Sequence, residues 1–589
     1  MTALIAAGAA NMTQTPANKR WWQTRDGRAL LWLLALTTLV VGAGIGLRDP
    51  WPADEPRFTL VARTMVETGD YLFPQRGSQL YSDKPPVFMW LQALFYQISG
   101  SWRLAFMLPS LLSALATVGL CFDLARRFYG VRVAKVAGLA LLFTVHFTYM
   151  MKRAQIDPVV IALITASAYC FLREAMDPRA RRFWFLGFFF AGVGVITKGV
   201  GVLGLLMPLS VWLAAKLSLP GHRYLAPDAQ RAARAHAGIR WPLGMLVLLA
   251  AIGIWVVPML WTVWREHTPE QLAYARDILL GQTAERYAKP KHHFQPPWYF
   301  VGVMLSMWLP LMLVLPWVVG AWRKARHVRR VKVLAPLLFA LLVVLFFSLS
   351  PAKRDMYILP ALPMLVLAFA PVLAVAERRV GYQRLLLGFV GLLALGSLLI
   401  GLAAYFGEPK LERSLIEARG PHASFVYLWI LLIVLGTSML GMLFGLRTLR
   451  VPYRAYAALT AFWLGISVVA MPVLDGSSSA RELMEEVASK LGPDDQLATV
   501  AFKEQDLLQA DRSIVDFGYK TPKDVQLARA IAWLKGAPKQ RYVLANKQFV
   551  DHCVSATNLR HSTVANRRQM WLFGLDAIRD ECVSAETPP

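Results

Sequence analysis

Acidic residues are scarce in this chain. Asp and Glu number 37 against 63 Lys and Arg, which leaves a formal charge of +26. Cysteine is scarcer still, with four in 589 residues, too few for a disulfide-stapled scaffold. No His and Cys set has zinc-ligand spacing, so His292 and His293 read as interfacial polar residues. No internal repeat of fixed period is visible, which weighs against the many transporters assembled from repeats. No nucleic-acid motif accompanies the positive charge, and the basic residues sit between apolar runs. The charge therefore reads as membrane topology, with no nucleic-acid partner. The polar–apolar alternation of a membrane β-barrel is missing from the long apolar runs.

Unbroken apolar sequence is abundant instead. Hydrophobic residues make up 56% of the chain, and the mean hydropathy is +0.43. Several runs reach the roughly 20 residues that span a bilayer as a helix. About thirteen spans are expected, at 29–47, 104–124, 136–151, 158–175, 184–197, 200–217, 243–264, 298–322, 334–350, 356–375, 385–406, 425–446 and 455–474. The fold class is thus a polytopic α-helical membrane protein. Residues 1–28 read as a cytoplasmic N-terminal segment, a polar lead before Lys19, Arg20, Arg25 and Arg28. With no clear small-residue cleavage site, the first run is favoured as a retained signal-anchor over a cleavable signal peptide. Arg and Lys cluster at 126–135, 179–182, 323–332, 378–384 and 447–454, which marks that face as cytoplasmic. An odd number of spans puts the C-terminus and the intervening loops on the periplasmic face of a bacterial inner membrane.

The periplasmic loop 48–103 carries two candidate interfacial helices. Phe58, Val61, Ala62, Met65 and Val66 recur at helical spacing, with Arg57, Arg63 and Glu67 on the other face, which suits a helix lying in the membrane surface. Pro85 to Gly100 suits a second. A long loop at 265–297 is rich in basic and aromatic residues, among them Trp298 and Tyr299 at its end. From Asp475 helical and strand patterns alternate, so 475–589 is expected to be a small periplasmic α/β domain behind the transmembrane domain 29–474. Cys121 and Cys170 lie in apolar runs as packing residues. Cys553 and Cys582 in the tail could pair in an oxidising compartment.

Transfer of a group from a lipid phosphate needs a carboxylate near the nucleophile, cations for the leaving phosphate, and a site at the membrane surface. Asp54 follows the first span and Asp157 lies between the third and fourth. Each also reads as a helix N-cap before proline, but two aspartates at span boundaries on one face point to a shared site. Lys84, Lys198, Arg286, Lys353 and Arg354 lie on the face that membrane topology disfavours for cations. Each alone could snorkel to headgroups; together they fit an anionic ligand such as a lipid phosphate.

The segment Asp54-Glu55-Pro56-Arg57 resembles the D-E-x-R motif of membrane glycosyltransferases with the C-type (GT-C) fold. Gly69-Asp70-Tyr71, Asp83-Lys84-Pro85-Pro86, Arg153 with Asp157, Thr197-Lys198-Gly199, and Lys353-Arg354 before Tyr357-Ile358-Leu359-Pro360 resemble it in order and topology as far as about residue 375. The chain is similar to the lipid A aminoarabinose transferases within the wider protein O-mannosyltransferase superfamily. The resemblance implies an undecaprenyl-phosphate-linked sugar donor, inverting transfer, and an acceptor such as lipid A or another envelope molecule. It implies Asp54 and Asp157 at the catalytic centre, with Lys84, Arg286 and Tyr357 on the carrier phosphate and Lys353 or Arg354 nearby. Glu55, Arg57, Arg153 and Lys198 support the site, and Asp157 assists or holds Arg57. Relatives of the lipid A type often carry an acid and a histidine before the arginine matched by Arg286, where Gln282 and Thr283 stand here. Asp83 stands where that group usually has Glu. No cofactor is required, and a divalent metal has no support in the residues themselves. The alternative function is a lipid-phosphate flippase or transporter, which predicts charges near the bilayer midplane; a structural scaffold predicts no clustering of the named charges.

Overall fold

The computed structural model describes residues 20–177, 179–218, 237–285, 294–323, 330–407, 413, 416 and 425–583. The membrane part is a bundle of helices, and each of the thirteen expected spans falls on a helix or on a bent pair of helices. Nine helices among the described residues are long and apolar enough to cross a bilayer, and two bent pairs bring the number to eleven. The other two depart from the expectation for simple reasons. Arg25–Gly42 includes Arg25, Asp26 and Arg28 within its 18 residues. Arg182–Val195 has 14 residues, a rise of about 21 Å, short of a bilayer core.

The two bent pairs meet each other. Val131–Phe143 and Val145–Met151 bend by 66°, and Tyr299–Met307 and Leu311–Arg323 by 93°. Pro310 cannot donate to a helical ladder, so the helix breaks there and the Leu309 carbonyl falls outside both ladders. That carbonyl accepts the Val145 N–H at 2.9 Å, so each break satisfies a backbone group released by the other.

The bundle has two chemically distinct ends. At one, Arg126 pairs with Asp26 at 3.1 Å and with Asp123 at 2.7 Å. Arg173 reaches Asp123 at 3.5 Å, and Lys332 donates to the Phe128 carbonyl at 3.1 Å. The first loop, the 152–157 turn and the 353–357 turn gather at the other.

In the first loop, Glu55–Thr68 forms a helix that ends at Gly69, whose φ of 74° is the left-handed conformation of a helix stop. The expected apolar face is buried against the bundle through Phe58, Val61, Ala62 and Met65. The opposite face is not open along its length, however. The tail domain covers its first turn, so the helix is held between two bodies rather than lying free on a surface. The second expected helix is Val87–Ser99. Between them β1 (Gln75–Arg76) and β2 (Gln79–Leu80) make a short antiparallel hairpin.

The tail forms the expected α/β layer. Helix Arg481–Ser489 buries Leu483, Met484 and Val487. Five strands follow: β3 (Gln496–Val500), β4 (Ile514–Asp516), β5 (Arg541–Asn546), β6 (His561–Ala565) and β7 (Arg568–Phe573), in the order β4-β3-β5-β7-β6. β3 is parallel to β4 and β5, and β7 is antiparallel to β5 and β6. Helix Lys523–Lys535 closes one face over Ala498, Val500 and Val543. Cys553 and Cys582 are bonded to each other, whereas Cys121 and Cys170 are buried and free.

Candidate active site

The centre of the site is a ring of contacts through four distant chain segments. Asp54 lies at the N-cap position of helix Glu55–Thr68, but its side chain makes no capping bond. It faces Arg57 at 3.5 Å and Arg354 at 3.7 Å instead. Arg354 and Tyr357 share one tight turn, closed by the Tyr357 N–H donating to the Arg354 carbonyl at 3.0 Å. The Tyr357 ring packs on Phe347 and lies 5.3 Å from the Lys198 ammonium. Lys198 donates to Asp157 at 2.7 Å. Asp157 is not the N-cap of its helix: that position is Gln155, and Asp157 falls in the first turn.

Glu55 closes the ring. It is buried, accepts a bidentate pair from Arg48 at 2.5 and 2.9 Å, and accepts the N–H groups of Trp51 at 2.9 Å and Ala154 at 3.0 Å. Burial opposes its charge, yet Arg48 and the two N–H groups hold the carboxyl below its usual range. Ala154 and Asp157 are three positions apart, a reach of at most about 11 Å. Asp54 and Asp157 are therefore brought to one end of the bundle and one neighbourhood.

The remaining sequence candidates sit differently. Asp157 does not hold Arg57: Glu504 and Asp54 do. Lys353 is buried and its ammonium donates to the carbonyls of Ser350 at 2.5 Å and Gln295 at 3.0 Å, which pins the 350–354 turn. Arg153 lies over Tyr149 and donates to its hydroxyl at 2.9 Å. Lys84 follows Ser82, whose hydroxyl donates to Asp277 at 3.2 Å and accepts from Lys520 at 3.1 Å. Arg286, His292 and His293 lie outside the described residues. Among the described residues no group of three His, Cys, Asp or Glu is arranged to hold a metal.

Several groups at the site carry no local sequence signal. Glu504, from the tail, accepts from Arg57 Nε at 2.9 Å and pairs with Arg76 of the hairpin at 2.7 Å. Burial works against the charge on Arg57; Tyr81, Glu504 and Asp54 overcome it and raise its pKa. Arg76 also lies over the Tyr519 ring at 4.4 Å. Glu504 is 447 residues from Arg57, so only the fold joins them. The junction between bundle and tail is likewise ionic. Asp475 accepts from the Asp49 N–H and the Trp51 indole, both at 2.9 Å, and Arg481 bridges Asp475 and Asp49.

The chain is similar in sequence and in fold to known proteins. A family model for dolichyl-phosphate-mannose-protein mannosyltransferases matches residues 83–222. An undecaprenyl phosphate-alpha-4-amino-4-deoxy-L-arabinose arabinosyl transferase of Pseudomonas aeruginosa (strain LESB58) is 30% identical over 438 residues, 72% of each chain. The enzyme of that name from Shewanella sediminis is 24% identical over 411 residues, 67% of each chain. The crystal structure of ArnT from Cupriavidus metallidurans bound to undecaprenyl phosphate superposes with a TM-score of 0.68 at 19% identity, over 96% of this chain and 100% of that one. The chain belongs to the undecaprenyl phosphate-alpha-4-amino-4-deoxy-L-arabinose arabinosyl transferase family and is a multi-pass membrane glycosyltransferase of the GT-C fold that uses a polyprenyl-phosphate sugar.

Proposed function

We propose that this enzyme transfers a sugar, with inversion, from undecaprenyl phosphate to an envelope acceptor such as lipid A on the periplasmic face of the inner membrane. The observation that carries this reading is the ring itself: the acids Asp54, Glu55 and Asp157 with the cations Arg57, Lys198 and Arg354, on four segments gathered at the bundle end opposite the basic loops. The disulfide-bonded tail packs against that same end, which suits an oxidising compartment.

In this mechanism the acceptor oxygen attacks the anomeric carbon on the face opposite the carrier phosphate. A new C–O bond forms as the bond from carbon to phosphate oxygen breaks, and the phosphate keeps the bonding electrons. Lys198 and Arg354, with Tyr357 beside them and Lys84 and Arg286 completing the set, stabilise that growing charge. Asp54 orients the acceptor between Arg57 and Arg354 and takes the proton when the acceptor is a hydroxyl. When the acceptor is a phosphate no proton is lost, and positioning dominates. Asp157 fixes Lys198.

Mass spectrometry of envelope lipids from cells with and without the protein tests the reading. A glycan or lipid A species heavier by one sugar in its presence supports it. Identical envelope profiles under conditions where the protein is made would reject it.

A further inference from the structure

The tail sheet aims one edge at the active site. The carboxyl ends of parallel strands β3, β4 and β5 lead to Lys503 and Glu504, to the 516–520 turn, and to Asn546. In open α/β sheets ligands bind outside the carboxyl ends of the strands. At that edge the 516–520 turn grips the first-loop hairpin: Asp516 accepts the Ser78 N–H at 2.9 Å and its hydroxyl at 2.7 Å. Beside it lies a small, solvent-open crevice that no step of the transfer uses.

Lys503, Gln505, Asp506, Asn546, Asn566 and Arg568 supply its polar lining. Neither the Lys503 ammonium nor the Arg568 guanidinium has a hydrogen-bonded or ion-paired partner among the described residues. Burial and the Arg568 charge push the Lys503 pKa down, against an opposing pull from Glu504 and Asp506. Asp506, the one acid in the lining, is 4% exposed and accepts the Lys503 N–H at 3.2 Å. Burial raises it to about 7, so it balances the two cations only in part near neutral pH. Ala501, also on the wall, has a φ of 56°, a left-handed conformation that a residue with a Cβ seldom adopts and that clusters at functional sites.

From these groups we propose that the crevice is an acceptor subsite, holding a phosphate group of the acceptor other than the group that receives the sugar. Two cations and three amides match a dianion's charge and its several acceptor oxygens. Glu504, one residue beyond Lys503, is the carboxylate that clamps Arg57 and Arg76, so a ligand seated here is linked through one neighbouring residue to the arginine beside Asp54. The subsite supplies binding energy remote from the reacting carbon, which positions the acceptor. The inference rests on the reading above that the acceptor is a phosphorylated envelope glycolipid.

The test uses the full chain in lipid nanodiscs with an undecaprenyl-phosphate aminosugar donor and lipid A bearing either two phosphates or one. Lys503→Gln and Arg568→Gln are each expected to raise the acceptor KM about tenfold or more for the two-phosphate form. The donor KM and the kcat at saturating acceptor should stay as in the parent enzyme, and Arg568→Lys should keep most of the affinity. With one phosphate the variants and the parent should have equal KM values. Glucosamine 1-phosphate, titrated into the full chain and followed by its own phosphorus resonance, reports binding without turnover, and either Gln substitution should weaken it by a similar factor. Unchanged acceptor KM and unchanged probe binding in both Gln variants would overturn the subsite. Probe binding that depends on Lys503 and Arg568, in an enzyme that transfers nothing to lipid A, would leave the subsite standing and refute the acceptor assignment instead.

Discussion

Glu55 and Asp54 are adjacent acids with opposite surroundings. Glu55 is 1% exposed and fully engaged by Arg48, Trp51 and Ala154, whereas Asp54 is open between two arginines. A buried pair that loses one partner leaves an uncompensated charge, so Glu55→Gln should destabilise the fold by about 3–5 kcal/mol. Thermal unfolding of the solubilised protein would read that loss. The same carboxyl sets an acid limit. Its folded-state pKa lies below the ordinary carboxylate value, so its contribution is full above that value and is lost as pH falls through the folded pKa. The parent's melting temperature should drop on acidification below about pH 4.5, and Glu55→Gln should flatten that arm. Glu504 is expected to act at one remove. Glu504→Gln should lower kcat about tenfold by releasing Arg57, with Glu504→Asp intermediate, whereas an unaltered rate with normal folding would separate the tail from the chemistry.

Among the elements, the spans were the most legible, because a bilayer demands long apolar helices whatever the tertiary packing. The breaks were not. Nothing in the run 136–151 marks the bend before Val145, since its partner is the Leu309 carbonyl of a helix far along the chain. Lys152 is a second instance. Its ammonium donates to the carbonyls of Val40, Val41 and Ala43 at 2.7, 3.2 and 3.1 Å, closing the C-terminal end of helix Arg25–Gly42. Its neighbour Arg153 stands out in the sequence, whereas Lys152 carries no signal there. Lys152→Met should cost about 1–3 kcal/mol by leaving those buried carbonyls unpaired, whereas Arg153→Met, on a half-exposed side chain, should cost under about 1 kcal/mol. Paired melting curves would check the contrast.

For the whole molecule, the motifs that placed Asp54, Asp157, Lys198, Arg354 and Tyr357 on one face lie in separate loops, and the ring between them needed the fold. Composition exposed the tail as a separate α/β unit, yet its part in the site was invisible, because the Arg57–Glu504, Arg76–Glu504 and Ser78–Asp516 contacts each join residues more than 400 positions apart. The bond between Cys553 and Cys582 closes a loop of 29 residues, for which chain entropy gives roughly 3–4 kcal/mol. Cys553→Ser should loosen the tail by that order, read as faster proteolysis at the tail, and should lower activity only as the tail detaches. The central claim is that Asp54 and Asp157 serve one reaction. The most direct measurement is sugar transfer from an undecaprenyl-phosphate donor by purified, reconstituted Asp54→Asn and Asp157→Asn enzymes, each first shown to melt like the parent. The account predicts a loss of about 100-fold or more in kcat for each, and a double variant no worse than the weaker single one. Transfer at the parent rate by both folded variants would contradict it.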